Sequence, residues 1–254
     1  MCIGDSVTFG APQTLNRPED TYPKRLEAML HDYGLTCVEV LNAGVPGYTS
    51  YQGLQQLRHR LIQYDPDCVI VQFGINDGSD AVGKTDAQQG KPDAAVVRLR
   101  NVMSRSAFCC TLAGILSRMI DSARKEYGCI QRVPPNDFAR NYEDMRALGA
   151  RYGFSLLFIR PVLFENGKLM TNEHHQPPRD ALVVDMLNSF RNSGVEATFL
   201  FHDNCHMTHE GHDLLAAAVF DILLGSNLIH KMVCSQSGGS GSTEGVRFGV
   251  QRTK

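Results

Sequence analysis

No apolar run in the chain approaches the roughly 18 residues needed to cross a bilayer as a helix, and nothing at its start resembles a secretory leader. Charge of one sign is also lacking: 25 Lys+Arg stand against 27 Asp+Glu, a net charge of -2. That balance gives no electrostatic footing for nucleic acid or for an anionic membrane. Among the eight cysteines there is no CxxC pair, which removes a zinc ribbon and a thioredoxin motif from consideration. Cys2, Cys37 and Cys68 fall in apolar, strand-like runs, where a free thiol behaves as a small buried hydrophobe. This usage favours reduced thiols and a cytoplasmic protein for the chain as given, or a secreted one if a leader is missing. No internal repeat is visible.

What is present suffices for a full core: 254 residues, 43% hydrophobic and 20% charged, most simply one domain over residues 1–234. Residues 235–254 include Ser237-Gly238-Gly239-Ser240-Gly241-Ser242 and read as a disordered tail or linker. Residues 1–3, 37–41, 67–73, 154–159 and 195–201 read as strands, with 67–73 a continuous apolar run covered on both faces. Helical spacing occurs at 22–30, 54–62, 96–123, 136–152, 179–191 and 209–224, the last with Thr208 as N-cap. The polar stretch 78–93 reads as a mobile loop. Such alternation predicts a parallel sheet with helices on both faces.

In an open parallel sheet, ligands bind beyond the carboxyl ends of the strands. Four polar stretches are expected there. Gly4-Asp5-Ser6 follows the first strand, Gly44 the second, Gly74-Ile75-Asn76-Asp77 the third, and Asp203-Asn204-Cys205-His206 the fifth. Taken singly, each is an ordinary turn sequence. In this order, over nearly the whole chain to about residue 224, they resemble the four blocks of the SGNH hydrolases, also called the GDSL esterase/lipase family. The resemblance implies a flavodoxin-like three-layer α/β/α sandwich whose five-stranded parallel sheet runs in the order 2-1-3-4-5.

It also implies a serine esterase that needs no cofactor or metal. Ser6 would be the nucleophile, His206 its base, and Asp203 the acid that orients the imidazole. The backbone N–H groups of Ser6 and Gly44 and the side-chain amide of Asn76 would form the oxyanion hole. Glycine suits position 44 because a missing Cβ lets a substrate approach the backbone. The expected partner is a small-molecule ester, with an acylated carbohydrate as the family-level choice; oligomeric state is left open.

Three other readings compete. An acyltransferase would use the same site. A metal-dependent hydrolase would draw ligands from His202, Asp203, His206, His209 and His212, yet there is no HExxH and Ser6 and Asn76 go unexplained. Residues 78–85 fit GxxxxGK[ST] literally, but Gly90 and Pro92 follow where a phosphate-binding loop requires a helix. The long connection 78–133 suggests a lid or pocket wall carrying Phe108 and Leu112, so deleting 80–92 should alter substrate preference more than stability. Only three residues precede Gly4, fewer than the central first strand of the family usually has. A truncated strand of reduced stability is therefore expected, and a few apolar residues restored upstream should raise the melting temperature.

Overall fold

The structure, a computed structural model, describes residues 1–11, 17–89, 129–226, 228 and 229. The helix expected over 96–123, the wall residues Phe108 and Leu112 and the tail 235–254 lie outside the described residues. The chain begins with β1 (Cys2–Gly4), the one-turn α1 (Ser6–Phe9) and α2 (Tyr22–Asp32). Next come β2 (Asn42–Gly44), α3 (Ser50–Gln56, continued by a π turn over Leu57–Leu61) and β3 (Cys68–Gln72). A two-stranded ribbon pairs β4 (Asp80–Val82) with β5 (Cys129–Gln131). It is followed by α4 (Pro135–Tyr152), β6 (Ser155–Arg160) and the hairpin of β7 (Val162–Glu165) and β8 (Lys168–Thr171). The last elements are β9 (Val183–Asp185), α5 (Met186–Asn192) and α6 (His209–Gly225).

The central sheet has five parallel strands in the order β2-β1-β3-β6-β9. Counted among themselves these are strands 2-1-3-4-5, the expected order. Side chains of a strand alternate between faces, and β3 feeds two cores accordingly. Cys68 and Ile70 pack with Tyr22, Leu26 and Leu30 of α2 and with Leu215, Val219 and Leu223 of α6. Val69 and Val71 pack with Leu54 of α3 and with Phe138, Tyr142 and Met145 of α4. Every residue of β3 is buried, which explains its unbroken apolar run up to Gln72.

Three strand assignments differ from the sequence reading. The second strand is Asn42–Gly44, a segment read as loop, whereas 37–41 is irregular and Cys37 is exposed rather than buried. The fifth strand is β9, hidden in the stretch read as helix over 179–191; only its second half, α5, is helical. Residues 195–201 form no sheet strand. They make a 3-10 turn over Ala197–Phe199, and Leu200 and Phe201 pack into the α2/α6 side of the core. Phe201 bridges to Met207 instead of to the sheet.

The connection after β3 also differs. Within the stretch read as a mobile loop, β4 is paired to β5, and Thr85 and Asp86 are buried. Residues 78–85 run from a 3-10 turn into a strand and a turn, and no helix follows through residue 89, so the phosphate-loop reading fails. Removing 80–92 would break the ribbon and take out the ion pair of buried Asp86 with half-buried Arg132, so stability would fall along with any change in preference.

Gly53 sets the distance between α3 and the sheet. In α3, a Cβ on Gly53 would sit 2.1 Å from Cζ of the fully buried Phe73. Alanine gains roughly 1 kcal/mol over glycine in a helix interior, but overpacking a fixed ring costs about 1–3 kcal/mol. With a contact this short the packing term wins. Gly53→Ala is expected to lower the urea midpoint at unchanged m-value.

Candidate active site

The site is assembled at the carboxyl edge of the sheet, beginning with α1. Asp5 caps this helix, its Oδ1 accepting from the Val7 N–H at 2.9 Å, and the turn closes on Gly10 in the left-handed region at φ 93°. Ser6 is therefore the first helical residue, and first-turn N–H groups have no intrahelical acceptor. Two close approaches hold α1 down. A Cβ on Gly4 would lie 2.0 Å from Thr8 Oγ1, and one on Gly44 would lie 2.3 Å from the Phe9 nitrogen. Glycine at 44 thus answers to packing against α1, where the sequence reading had assigned it to substrate approach. Beneath the turn, Thr8 Oγ1 donates to Gln72 Oε1 at 3.1 Å and lies 3.3 Å from the Tyr22 hydroxyl.

His206 Nε2 lies 2.9 Å from Ser6 Oγ, across 200 residues of chain. Its Nδ1 is 2.6 Å from Asp203 Oδ2. The other carboxylate oxygen of Asp203 accepts the backbone N–H groups of Cys205 at 2.9 Å and His206 at 2.7 Å. Partial burial pushes the Asp203 carboxyl up, but these two amides and the imidazole outweigh it and hold it at about 2. The acid is thus ionised at neutral pH, which places the imidazole proton on Nδ1 and turns the Nε2 lone pair to the serine. The hairpin braces this loop: the Phe164 N–H donates to the Asn204 carbonyl at 2.8 Å, and Phe164 stacks on Phe201.

Asn76 stands in a 3-10 turn behind β3, and its Nδ2 donates one hydrogen to the Tyr48 carbonyl at 3.1 Å. The neighbouring Asp77 is fully buried and accepts from Ser50 N and, at 2.5 Å, from Ser50 Oγ. Burial raises its carboxyl, with Ser50 opposing. Below the same turn the buried His175 is bonded to the Val133 carbonyl and to Asn172. Gly44 differs from expectation, because its N–H already donates to Asn42 Oδ1 at 3.0 Å.

The histidines of the metal reading are not brought together. His209 lies on the surface with Arg25, Asp20 and Asp213. His212 is buried beside Tyr22, whose N–H donates to His212 Nδ1. Among the described residues, the ligand atoms that do converge, within 4.8 Å, are those of Asp203, Cys205 and His206. There the imidazole nitrogen already faces its carboxylate, and burial pushes the Cys205 thiol up to about 12, far from the thiolate that binds metal.

The sequence reading missed the residues that hold the loop after β2. Thr49 caps α3 in a reciprocal capping box with Gln52, and the pattern Thr-x-x-Gln before an apolar run was the available signal. Asp86 and Arg132, which fasten the same loop, carry no local signal at all.

A five-stranded 2-1-3-4-5 sheet with a serine, a histidine and an aspartate in hydrogen-bonded succession at its carboxyl edge defines an α/β protein of the SGNH type. Residues 2–214 match the GDSL-like lipase/acylhydrolase family, and the chain belongs to it. It is 28% identical over 145 residues to an arylesterase of Vibrio mimicus, an alignment spanning 57% of this chain and 60% of the relative. It is 35% identical over 78 residues to thioesterase 1/protease 1/lysophospholipase L1 of Escherichia coli K12, spanning 31% and 34%. The matched part is therefore under two thirds of each relative's length. Among solved structures, a mutant of Axe2, an acetyl-xylooligosaccharide esterase from Geobacillus, superposes with a TM-score of 0.56 at 16% identity, over 87% of this chain and 92% of that one. A two-domain esterase active on acetylated mannans gives 0.51 at 18% identity, over 88% and 48%. At these identities the likeness is one of fold.

Asp5 offers a test of the support under Ser6. It is fully buried, and its Oδ2 has no hydrogen-bond partner. Burial, aided by the charge of Asp77 and opposed by the Val7 N–H, raises its carboxyl from 3.8 to about 7. A raised acid contributes stability that is complete below about pH 4 and is lost as pH rises through about 7. Buried His212, lowered to about 4, slopes the other way over much of the same range. The parent curve alone therefore hides both. Asp5→Asn, which keeps the cap oxygen without the charge, is expected to gain stability relative to the parent as pH rises from about 4 to about 7 in denaturant titrations, and a constant difference refutes the assignment.

Proposed function

We propose that the protein is a serine esterase that hydrolyses carboxylic esters through an acyl-Ser6 intermediate. The observation that carries this reading is the unbroken chain from Ser6 Oγ to His206 Nε2 at 2.9 Å and from His206 Nδ1 to Asp203 Oδ2 at 2.6 Å. Ser6 Oγ attacks the ester carbonyl while its proton passes to His206 Nε2, and Asp203 stabilises the imidazolium so formed. The negative charge on the former carbonyl oxygen is taken up by the Ser6 N–H and by the Asn76 amide hydrogen not used by Tyr48. Gly44 joins them by giving up its bond to Asn42. Collapse returns the proton to the departing alcohol. Water, deprotonated by His206, then releases the acid and restores Ser6.

For substrate, we favour a short acyl ester on a carbohydrate. This choice follows two solved structures of the same fold, an acetyl-xylooligosaccharide esterase and an esterase active on acetylated mannans. A fluorophosphonate followed by peptide mapping should label Ser6 and no other serine. Ser6→Ala and His206→Ala should nearly abolish hydrolysis of p-nitrophenyl acetate, and Asn76→Ala should lower kcat on the order of 100- to 1,000-fold. Near-normal turnover by the Ser6 variant would refute the mechanism.

A further inference from the structure

We propose that Arg132 is a positioning residue for the Asn76 amide, acting through the loop that joins β2 to α3. The inference rests on the esterase reading and adds to it a component more than 50 positions away in sequence from Asn76. Arg132 spends its guanidinium on four bonds. Nε donates to Asp86 Oδ1 at 3.2 Å and Nη2 to Asp86 Oδ2 at 2.9 Å. Nη1 donates to the Gly47 carbonyl at 2.9 Å, and Nη2 also reaches Gln52 Oε1 at 3.0 Å. Asp86 is 8% exposed and takes a further bond, at 2.8 Å, from Thr49 Oγ1. Gln52 Oε1 in turn accepts the Thr49 N–H.

Residues 47, 49 and 52 are thus tied to one ion pair whose carboxylate is buried. Between them stands Tyr48, whose carbonyl accepts the Asn76 Nδ2–H. A primary amide is planar, so anchoring one N–H fixes the direction of the other. That second N–H is the one the oxyanion requires, and a donor for developing charge must be aimed before the charge appears. Arg132 itself is held by its backbone, with its N–H on the Ser79 carbonyl and its carbonyl accepting the Asp86 N–H. The fork geometry matters here, since four directed bonds to three acceptor residues exceed what a lysine ammonium can reproduce.

The test is a double-mutant cycle on p-nitrophenyl acetate hydrolysis, with Ser6→Ala run alongside. Arg132→Gln is expected to lower kcat roughly 10- to 100-fold, the range for a displaced catalytic donor, with KM changed less than about twofold. In an Asn76→Ala background the same substitution should cost less than about twofold, because the group it positions is gone. An equal loss in both backgrounds, an effect confined to KM, or unchanged kcat overturns the proposal. Should the glutamine variant fail to fold, Arg132→Lys keeps a cation against Asp86 and is read in the same cycle, with the same outcomes deciding. Hydrolysis that survives Ser6→Ala removes the esterase reading itself and this inference with it, whereas Ser6-dependent hydrolysis with additive losses removes only the inference.

Discussion

The constraint on which the rest of the site depends is steric: there is no side-chain volume at positions 4 and 44. With hydrogen at both, the single turn of α1 settles directly on the ends of β1 and β2, close enough that a methyl group would meet Thr8 or the Phe9 nitrogen. The settled turn buries its second and third residues, Val7 and Thr8, and leaves Ser6 half-buried and Phe9 exposed. Ser6, half-buried at this strand-to-helix turn, thereby stands on a base held from both strands. Thr8, Gln72 and Tyr22 close the space underneath with hydrogen bonds rather than with apolar packing.

Three acids are buried around this base, and each is neutralised differently. Asp5 holds its proton to about pH 7. Asp77 is met by the amide and hydroxyl of Ser50, with Asn141 donating to that hydroxyl in turn. Asp86 is paired with Arg132. Burial of an uncompensated carboxylate is costly enough that each of these partners must stay in place. The result is a set of ties linking the segments after β2, β3 and β5, so that the loops bearing Tyr48 and Asn76 are fixed to one another and not merely to the sheet.

Much of this was legible in the residues themselves. The unbroken apolar run 67–73 announced a strand covered on both faces, and the periodicities of 136–152 and 209–224 located α4 and α6 to within a residue or two. Ser6 and Asn76 stood out by their places behind β1 and β3, whereas Asp203 and His206 were found through the family resemblance, since the stretch 195–201 read as a strand before them is not one. What stayed hidden were strands of three residues. Asn42–Gly44 has the composition of a turn, and Val183–Asp185 lies inside a stretch whose apolar spacing continues into α5, so neither is long enough to show a period of two. Conversely, 195–201 has the composition of a strand because Leu200 and Phe201 must be buried, yet the adjacent sheet position is taken by β9. The Arg132–Asp86 pair was illegible for another reason, since its two members lie 46 residues apart and are brought together by the pairing of β4 with β5.

His206 and Asp203 are carried differently from Ser6. Their loop hangs between the hairpin and the start of α6, pinned by the Phe164 amide and by the Phe201–Met207 bridge rather than by any strand of the central sheet. The two sides of the cleft therefore have separate foundations. A change in the hairpin would therefore reach the loop of Asp203 and His206 through the Phe164 amide, and leave the contacts of α1 with the ends of β1 and β2 as they are.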